Sequence, residues 1–237
     1  MKNEQFLKEY KRFETRVKKI ANSTEDSDRF MSIVRDASKI CPILEYERDI
    51  IGDLVALRHV IVHKDRDKYL AEINDIAFEK LEKIIRYLEK PPSVKDYFAC
   101  DVYTVKDSEI TDIVIKKMCE TGYTHVPVYS KNKFIGVFSE TSIFEWLGDN
   151  ICDGNANFKK RSISIFNMKY LNQPEQNFCD FIGEKTSIFD VQKRFENAIS
   201  KKQRIGALFI TKTGKKDEKI SGIVTSWDLP NIKKSLD

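Results

Sequence analysis

Arg58 and His63 combine a permanent cation with a side chain that titrates near neutrality, five positions apart in Leu57-Arg58-His59-Val60-Ile61-Val62-His63. A histidine of ordinary pKa, about 6.5, takes up and returns a proton at neutral pH, and a guanidinium stabilises charge developing on a phosphate. On an ideal helix an interval of five turns the two side chains roughly 140° apart. Joint action therefore needs the helix to fray near His63, or a second copy of the chain to supply the partner. His59, His63 and Asp67 are spaced by four and share a helix face, which is a divalent-cation reading, although no HExxH glutamate accompanies them. A third reading is local: arginine and histidine near a helix C-terminus complement the macrodipole and bond the last carbonyls.

Thr225 and Asp228 form the other notable pair. A hydroxyl followed three residues on by a carboxylate is a capping box, here with aspartate in place of the usual Glu or Gln, worth about 1 kcal/mol of helix stability. The pair sits in Gly222-Ile223-Val224-Thr225-Ser226-Trp227-Asp228-Leu229, which echoes Gly136-Val137-Phe138-Ser139-Glu140-Thr141-Ser142-Ile143, 86 positions earlier. Each copy runs from β-branched and aromatic residues carrying a glycine to a hydroxyl residue able to start a helix. Lys106-Asp107-Ser108 and Lys185-Thr186-Ser187 extend the likeness upstream. A duplicated unit of this kind implies a cleft between its halves. The copies differ: Ser142 stands where the second has Asp228, Gly206-Ala207-Leu208 stands against Val126-Pro127-Val128, and the second hairpin is longer.

The elements that must position these residues divide the chain. Residues 1–90 read as helical, with Phe6, Tyr10, Phe13, Val17 and Ile20 tracing one apolar stripe and Ile43, Ile50, Leu54, Leu57 and Ile61 another. Ser23-Thr24-Glu25-Asp26 offers a helix start, Pro42 lies near the start of a third helix, and Asp67 to Lys90 makes a long fourth, giving a four-helix bundle. Pro91-Pro92-Ser93 ends it. Beyond lie short strands (102–105, 126–129, 134–138) alternating with helices (108–120, 139–147). After a polar stretch comes a second set: a strand at 178–182, a helix at 187–198, strands at 205–211 and 220–224, and a last helix from Thr225. The expected class is α+β, with a helical domain at 1–90, repeats at 94–147 and 165–237, and a linker at 148–164.

With 237 residues there is ample chain for two modest domains, and a net charge of only +4 permits nucleic-acid contact without demanding it. The N-terminus lacks the apolar core of a secretory signal and no stretch reaches roughly 18 uninterrupted apolar residues, so the expectation is a cytoplasmic protein without a membrane partner. Five scattered cysteines at no zinc-ligand spacing point to free thiols in a reducing compartment. Gly148-Asp149-Asn150 and Cys152-Asp153-Gly154-Asn155 lack the alternating oxygens and closing glutamate of a calcium loop. No metal site, catalytic triad or Gly-rich phosphate loop is expected. Trp146 and Trp227, on helices after the repeated glycines, are expected to pack rather than to stack on bases.

The repeated half resembles the tandem cystathionine β-synthase (CBS) domain pair. The residues that carry the likeness are His125-Val126-Pro127-Val128 with Phe134-Ile135-Gly136-Val137-Phe138-Ser139, and Gly222-Ile223-Val224-Thr225-Ser226-Trp227-Asp228. The resemblance implies a β-α-β-β-α unit twice over and an adenosine-containing ligand between the repeats (AMP, ADP, ATP or S-adenosylmethionine), acting as a regulator rather than a required cofactor. It implies that Asp228 accepts from ribose hydroxyls and that Thr225, at a helix N-terminus, meets phosphate. Ser142 cannot accept two charge-assisted bonds in the same way, so one pocket is better supported than two. For phosphate neutralisation the candidates are Lys201, Lys202 and Arg204, or Lys159, Lys160 and Arg161, with Arg204 preferred.

The helical half resembles the HEPN superfamily through Arg58-x-x-x-x-His63, with His59 in the slot after the arginine. That resemblance implies metal-independent RNA cleavage by a homodimer, with Arg58, His59 and His63 as candidate catalytic residues. The leading expectation is a dimeric regulatory protein whose nucleotide-binding pair modulates the helical bundle. A nucleotide-regulated endoribonuclease and a non-enzymatic scaffold are the alternatives.

Overall fold

The computed structural model describes residues 2–23, 30–65, 68–151, 157, 160–174 and 178–230. The chain divides into two compact units, Met1–Pro92 and Ser93–Asp237.

In the first unit, helix α1 (Lys2–Ala21) turns Phe6, Tyr10, Phe13 and Val17 inward, as their spacing requires. It packs on α2 (Phe30–Ser38), with Phe13 and Phe30 edge to face at 5.7 Å. The expected third helix is two: α3 (Ile43–Tyr46) and α4 (Arg48–Val62), broken at Glu47. The expected helix from Asp67 is also corrected. Two short strands, β1 (Lys64–Asp65) and β2 (Lys68–Tyr69), pair antiparallel, and α5 covers only Asp75–Glu89. The cause is local and long-range together. Asn74 caps α5 by accepting from Ala77 N–H at 2.8 Å, and the buried Asn3 side chain takes up the backbone just before it. Asn3 donates to Ala71 C=O at 2.7 Å and accepts from Ile73 N–H at 2.9 Å. The helix start read at Ser23–Asp26 and the position of Asp67 lie mostly or wholly outside the described residues.

The second unit contains one topology twice. Its first copy has a leading helix α6 (Val94–Phe98), β3 (Val105–Lys106), α7 (Thr111–Thr121), β4 (His125–Ser130), β5 (Lys133–Ser139) and α8 (Glu140–Asn150). The second has a 3-10 turn (Ile163–Phe166), α9 (Asn167–Tyr170), β6 (Cys179–Gly183), α10 (Ile188–Ser200), β7 (Ala207–Thr211), β8 (Ile220–Thr225) and a 3-10 turn (Ser226–Asp228). The sheets run β3-β4-β5 and β6-β7-β8, each with its first pair parallel and its second antiparallel. Their inner faces meet through Phe134, which stands edge-on to Phe181 at 5.1 Å and to Phe209 at 6.3 Å. Strand register corrects one equivalence. His125 pairs with Ser139 as Ala207 pairs with Thr225, so Val126-Pro127-Val128 matches Leu208-Phe209-Ile210, not Gly206-Ala207-Leu208.

The two copies exchange their leading segments. Ser93 bridges to Ser187 and Ala99 to Gly222, both in the second copy, whereas Ser162 bridges to Ile110 and Asn172 to Val137, both in the first. This close approach explains the repeated glycines. A Cβ on Gly222 would lie 2.2 Å from Phe98 O, and one on Gly136 would lie 2.8 Å from Leu171 Cβ. Ile163, Phe166 and Leu171 are thereby buried in the core of the first copy beside Phe138 and Trp146.

Candidate functional sites

A cavity of about 360 Å³ lies between the copies, where the starts of β4 and β7 approach each other. Thr124, His125, Glu140 and Thr141 line it from the first copy, and Phe178, Ile199, Arg204, Gly206 and Ser226 from the second. The close approach requires glycine at 206, since a Cβ there would lie 2.5 Å from His125 Nε2. Burial pushes the His125 pKa down to about 4, so the ring is neutral at pH 7. Its Nδ1 lies 2.7 Å from Thr124 Oγ1, and its ring sits 5.5 Å from that of Phe178.

Of the nucleotide candidates, Arg204 lines this cavity, and Ser226 brings the Thr225–Asp228 turn to its wall. Thr225 and Asp228 form the capping box. Asp228 Oδ2 accepts from Thr225 N–H at 2.7 Å and from the Thr225 hydroxyl at 2.8 Å. Asp228 Oδ1 has no hydrogen-bond partner among the described residues, and the residue is half-buried. Lys201, Lys202, Lys160 and Arg161 are exposed and do not line the cavity; Lys159 lies outside the described residues. Trp146 packs as expected, but Trp227 does not: it is 80% exposed beside the turn.

The equivalent turn of the first copy is closed by a side chain from the second. Ser139 donates to Asn172 Oδ1, and the Ser142 hydroxyl lies 3.2 Å from the same oxygen. Ser139, Ser142 and Asn172 are all buried. Asn172 belongs to the exchanged leading segment and cannot be found by comparing the two motifs. His125 and Phe178 also went unassigned. In the sequence His125 opens the strand that carries the resemblance, with nothing to mark it as a cavity residue.

In the first unit, Arg58 and His59 line a groove of about 550 Å³ with Tyr10, Glu14, Phe30 and Val55. Burial raises the Tyr10 phenol pKa, Glu14 adds to the rise and Arg58 opposes it. His63 is not part of the groove lining. Helix α4 ends at Val62, His63 is extended (φ −79°, ψ 113°), and its ring stands edge-on to His59 at 4.9 Å. No cluster of three potential metal-ligating residues occurs among the described residues, and no described helix is long and apolar enough to cross a membrane.

Comparison with known proteins bears on the second unit. Residues 94–149 match the CBS domain family. The copy that follows shares its topology and exchanges segments with it. No curated protein matches the chain. Solved structures similar to it include the CBS domain pair of protein MJ0100 in complex with 5′-methylthioadenosine and S-adenosyl-L-methionine, at 15% identity and a TM-score of 0.45, covering 62% of this chain and 99% of that one. CbpB in complex with c-di-AMP is 15% identical with a TM-score of 0.46, covering 67% and 94%. A conserved protein from Pyrococcus horikoshii is 16% identical with a TM-score of 0.43, covering 61% and 93%.

Proposed function

We propose that the CBS pair binds one adenosine-containing ligand per chain, in the cavity between its copies, and that occupancy modulates the helical unit. The observation that carries this reading is the asymmetry of the two turns. Asn172 fills the first, while the second places Asp228, with one carboxylate oxygen unused, beside a cavity holding Arg204. At about 360 Å³ the cavity lies at the lower end of small-molecule sites. Asp228 Oδ1 accepts from the ribose, Arg204 faces phosphate or another anionic group, and the His125–Phe178 side offers apolar walls to the base. A route for modulation is covalent. The segment leaving the helical unit at Pro92 runs directly into α6, which docks on β8, and β8 ends at Thr225. Regulation requires the ligand to favour one arrangement of that segment over another.

Calorimetric titration of the full chain with AMP, ADP, ATP and S-adenosylmethionine tests the proposal. One ligand per chain is expected, with binding weakened at least tenfold in Asp228→Ala and in Arg204→Ala. Absence of heat and of thermal shift with all four at millimolar concentration overturns it. Self-association, expected from both resemblances, is read by light scattering on the same samples.

A second reading, a HEPN-type metal-independent endoribonuclease, is favoured by the groove that holds Arg58 and His59 with His63 against His59. It requires cleavage of single-stranded RNA in the presence of chelator, lost in Arg58→Ala and in His63→Ala. Activity untouched by both substitutions removes these residues from the chemistry.

A further inference from the structure

Helix α1 carries seven cations and three carboxylates, and the cations are not spread evenly around it. Lys8, Lys11, Arg12, Arg16 and Lys19, spaced by three or four residues except for the adjacent Lys11 and Arg12, form one wall of a groove of about 390 Å³ between α1 and α5. At a rise of about 1.5 Å per residue, the interval from Lys8 to Lys19 makes a line of positive charge about 16 Å long. This is the face opposite the one that presents Tyr10 and Glu14 to the Arg58–His59 groove, so the two grooves are separate surfaces.

Arg12 is matched by Glu89 and Glu9. Lys8, Lys11, Arg16 and Lys19 have no carboxylate partner among the described residues. Four unmatched cations along one line raise the local potential and favour a partner whose charge also repeats along a line. The floor narrows the choice. Ile85 and Leu88, the apolar residues of the floor, are only 5% and 6% exposed and so offer an amphipathic helix little to bury. Among the described residues no aromatic side chain lines the groove, so bases would find nothing to stack on.

We infer that this groove is a docking surface for the phosphate backbone of a nucleic-acid strand, held by charge and without reading sequence. Lys8, Lys11, Arg16 and Lys19 each meet a phosphate, while Arg12 stays tied to Glu89 and fixes the wall in place. The surface is independent of the ligand cavity in the CBS pair and of whether Arg58 and His63 cleave RNA.

The test is fluorescence anisotropy of the full chain with a labelled 12-nucleotide oligouridine strand, between 50 and 200 mM salt. A Lys11→Gln/Arg16→Gln/Lys19→Gln variant is compared with Lys116→Gln/Lys117→Gln/Lys133→Gln, which removes the same charge from the second unit. Circular dichroism verifies that both variants are folded. Binding should weaken steeply with salt, and the groove variant should bind at least tenfold more weakly. Its slope of log K against log salt should be shallower by about 2, since each phosphate of a single strand that is no longer neutralised reduces the slope by about 0.7. The second-unit variant should bind like the parent. Absent binding at 50 mM salt, equal weakening in both variants, or an unchanged salt slope in the groove variant overturns the inference. Capture of an acidic peptide by the groove with no oligonucleotide binding overturns it too, making the partner a protein.

Discussion

The side-chain oxygen of Asn172 accepts a hydrogen bond from the Ser139 hydroxyl, which joins the leading segment of the second copy to the helix start of the first. Both residues are buried, and Ser142 shares the same acceptor at 3.2 Å. Asn172→Ala takes the acceptor from the buried Ser139 hydroxyl, while Ser142 keeps the Val137 carbonyl at 3.3 Å, so it should cost about 1–3 kcal/mol. Urea denaturation followed by far-ultraviolet circular dichroism reads the loss; a midpoint within error of the parent would mean water replaces the amide without penalty.

Glycine substitutions should separate close packing from mere chain flexibility. In Gly222→Ala the new methyl meets Phe98 O at 2.2 Å, and in Gly136→Ala it meets Gln173 Nε2 at 2.5 Å with φ at +147°. Each should destabilise the second unit by about 1–3 kcal/mol. Gly148 lies within α8 and a methyl there meets nothing within 4 Å. Gly148→Ala should therefore raise stability by about 0.5–1 kcal/mol, and thermal melts of the three variants side by side check the order.

His125 predicts a pH dependence of definite sign. Burial lowers its native pKa to about 4, below the unfolded value of about 6.5. Between those values the unfolded chain binds a proton that the native chain does not, so stability is fully present above pH 6.5 and is lost as pH falls toward 4. The contribution is about 3 kcal/mol across that window. His125→Gln should flatten the corresponding part of the stability profile, measured by urea denaturation at half-unit pH steps; parallel profiles would place His125 in contact with water.

Asn3 holds the backbone before α5 from both sides, at Ala71 and Ile73. Asn3→Ala should cost the helical unit about 1–3 kcal/mol, because Ile73 N–H is left in a buried setting without its acceptor. Hydrogen exchange of the Ile73 amide gives a local readout, and protection equal to the parent would show that the chain finds another acceptor.

The repeat was legible because its signature is local. A glycine inside a β-branched run, followed by a hydroxyl residue, specifies a strand and a capped turn, and both copies form the strand; the first continues into α8, whereas the helix expected from Thr225 begins as a 3-10 turn at Ser226–Asp228. The apolar stripe of α1 was equally plain. What escaped depends on partners distant in sequence. The start of α5 is set partly by Asn3, some 70 residues away. The closure of the first turn depends on Asn172, which no comparison of Ser142 with Asp228 can suggest. Trp227 follows a strand as a packing residue would, yet the 3-10 turn at Ser226–Asp228 directs it to solvent. The cavity itself arises where His125 and Gly206 meet, a juxtaposition that neither segment encodes alone.

The exchange of leading segments also governs how the chain can be assembled. Ala99 leaves the ribosome 123 residues before Gly222, the position it will bridge, so α6 stays without its strand until the second copy is made, and the first copy waits for residues 162–172. Pairings this distant in sequence slow folding and leave sheet edges unpaired for longer. A chain cut within residues 152–156 would yield two pieces, each holding a part that the other needs. Neither should be soluble alone, and mixing them should restore one particle.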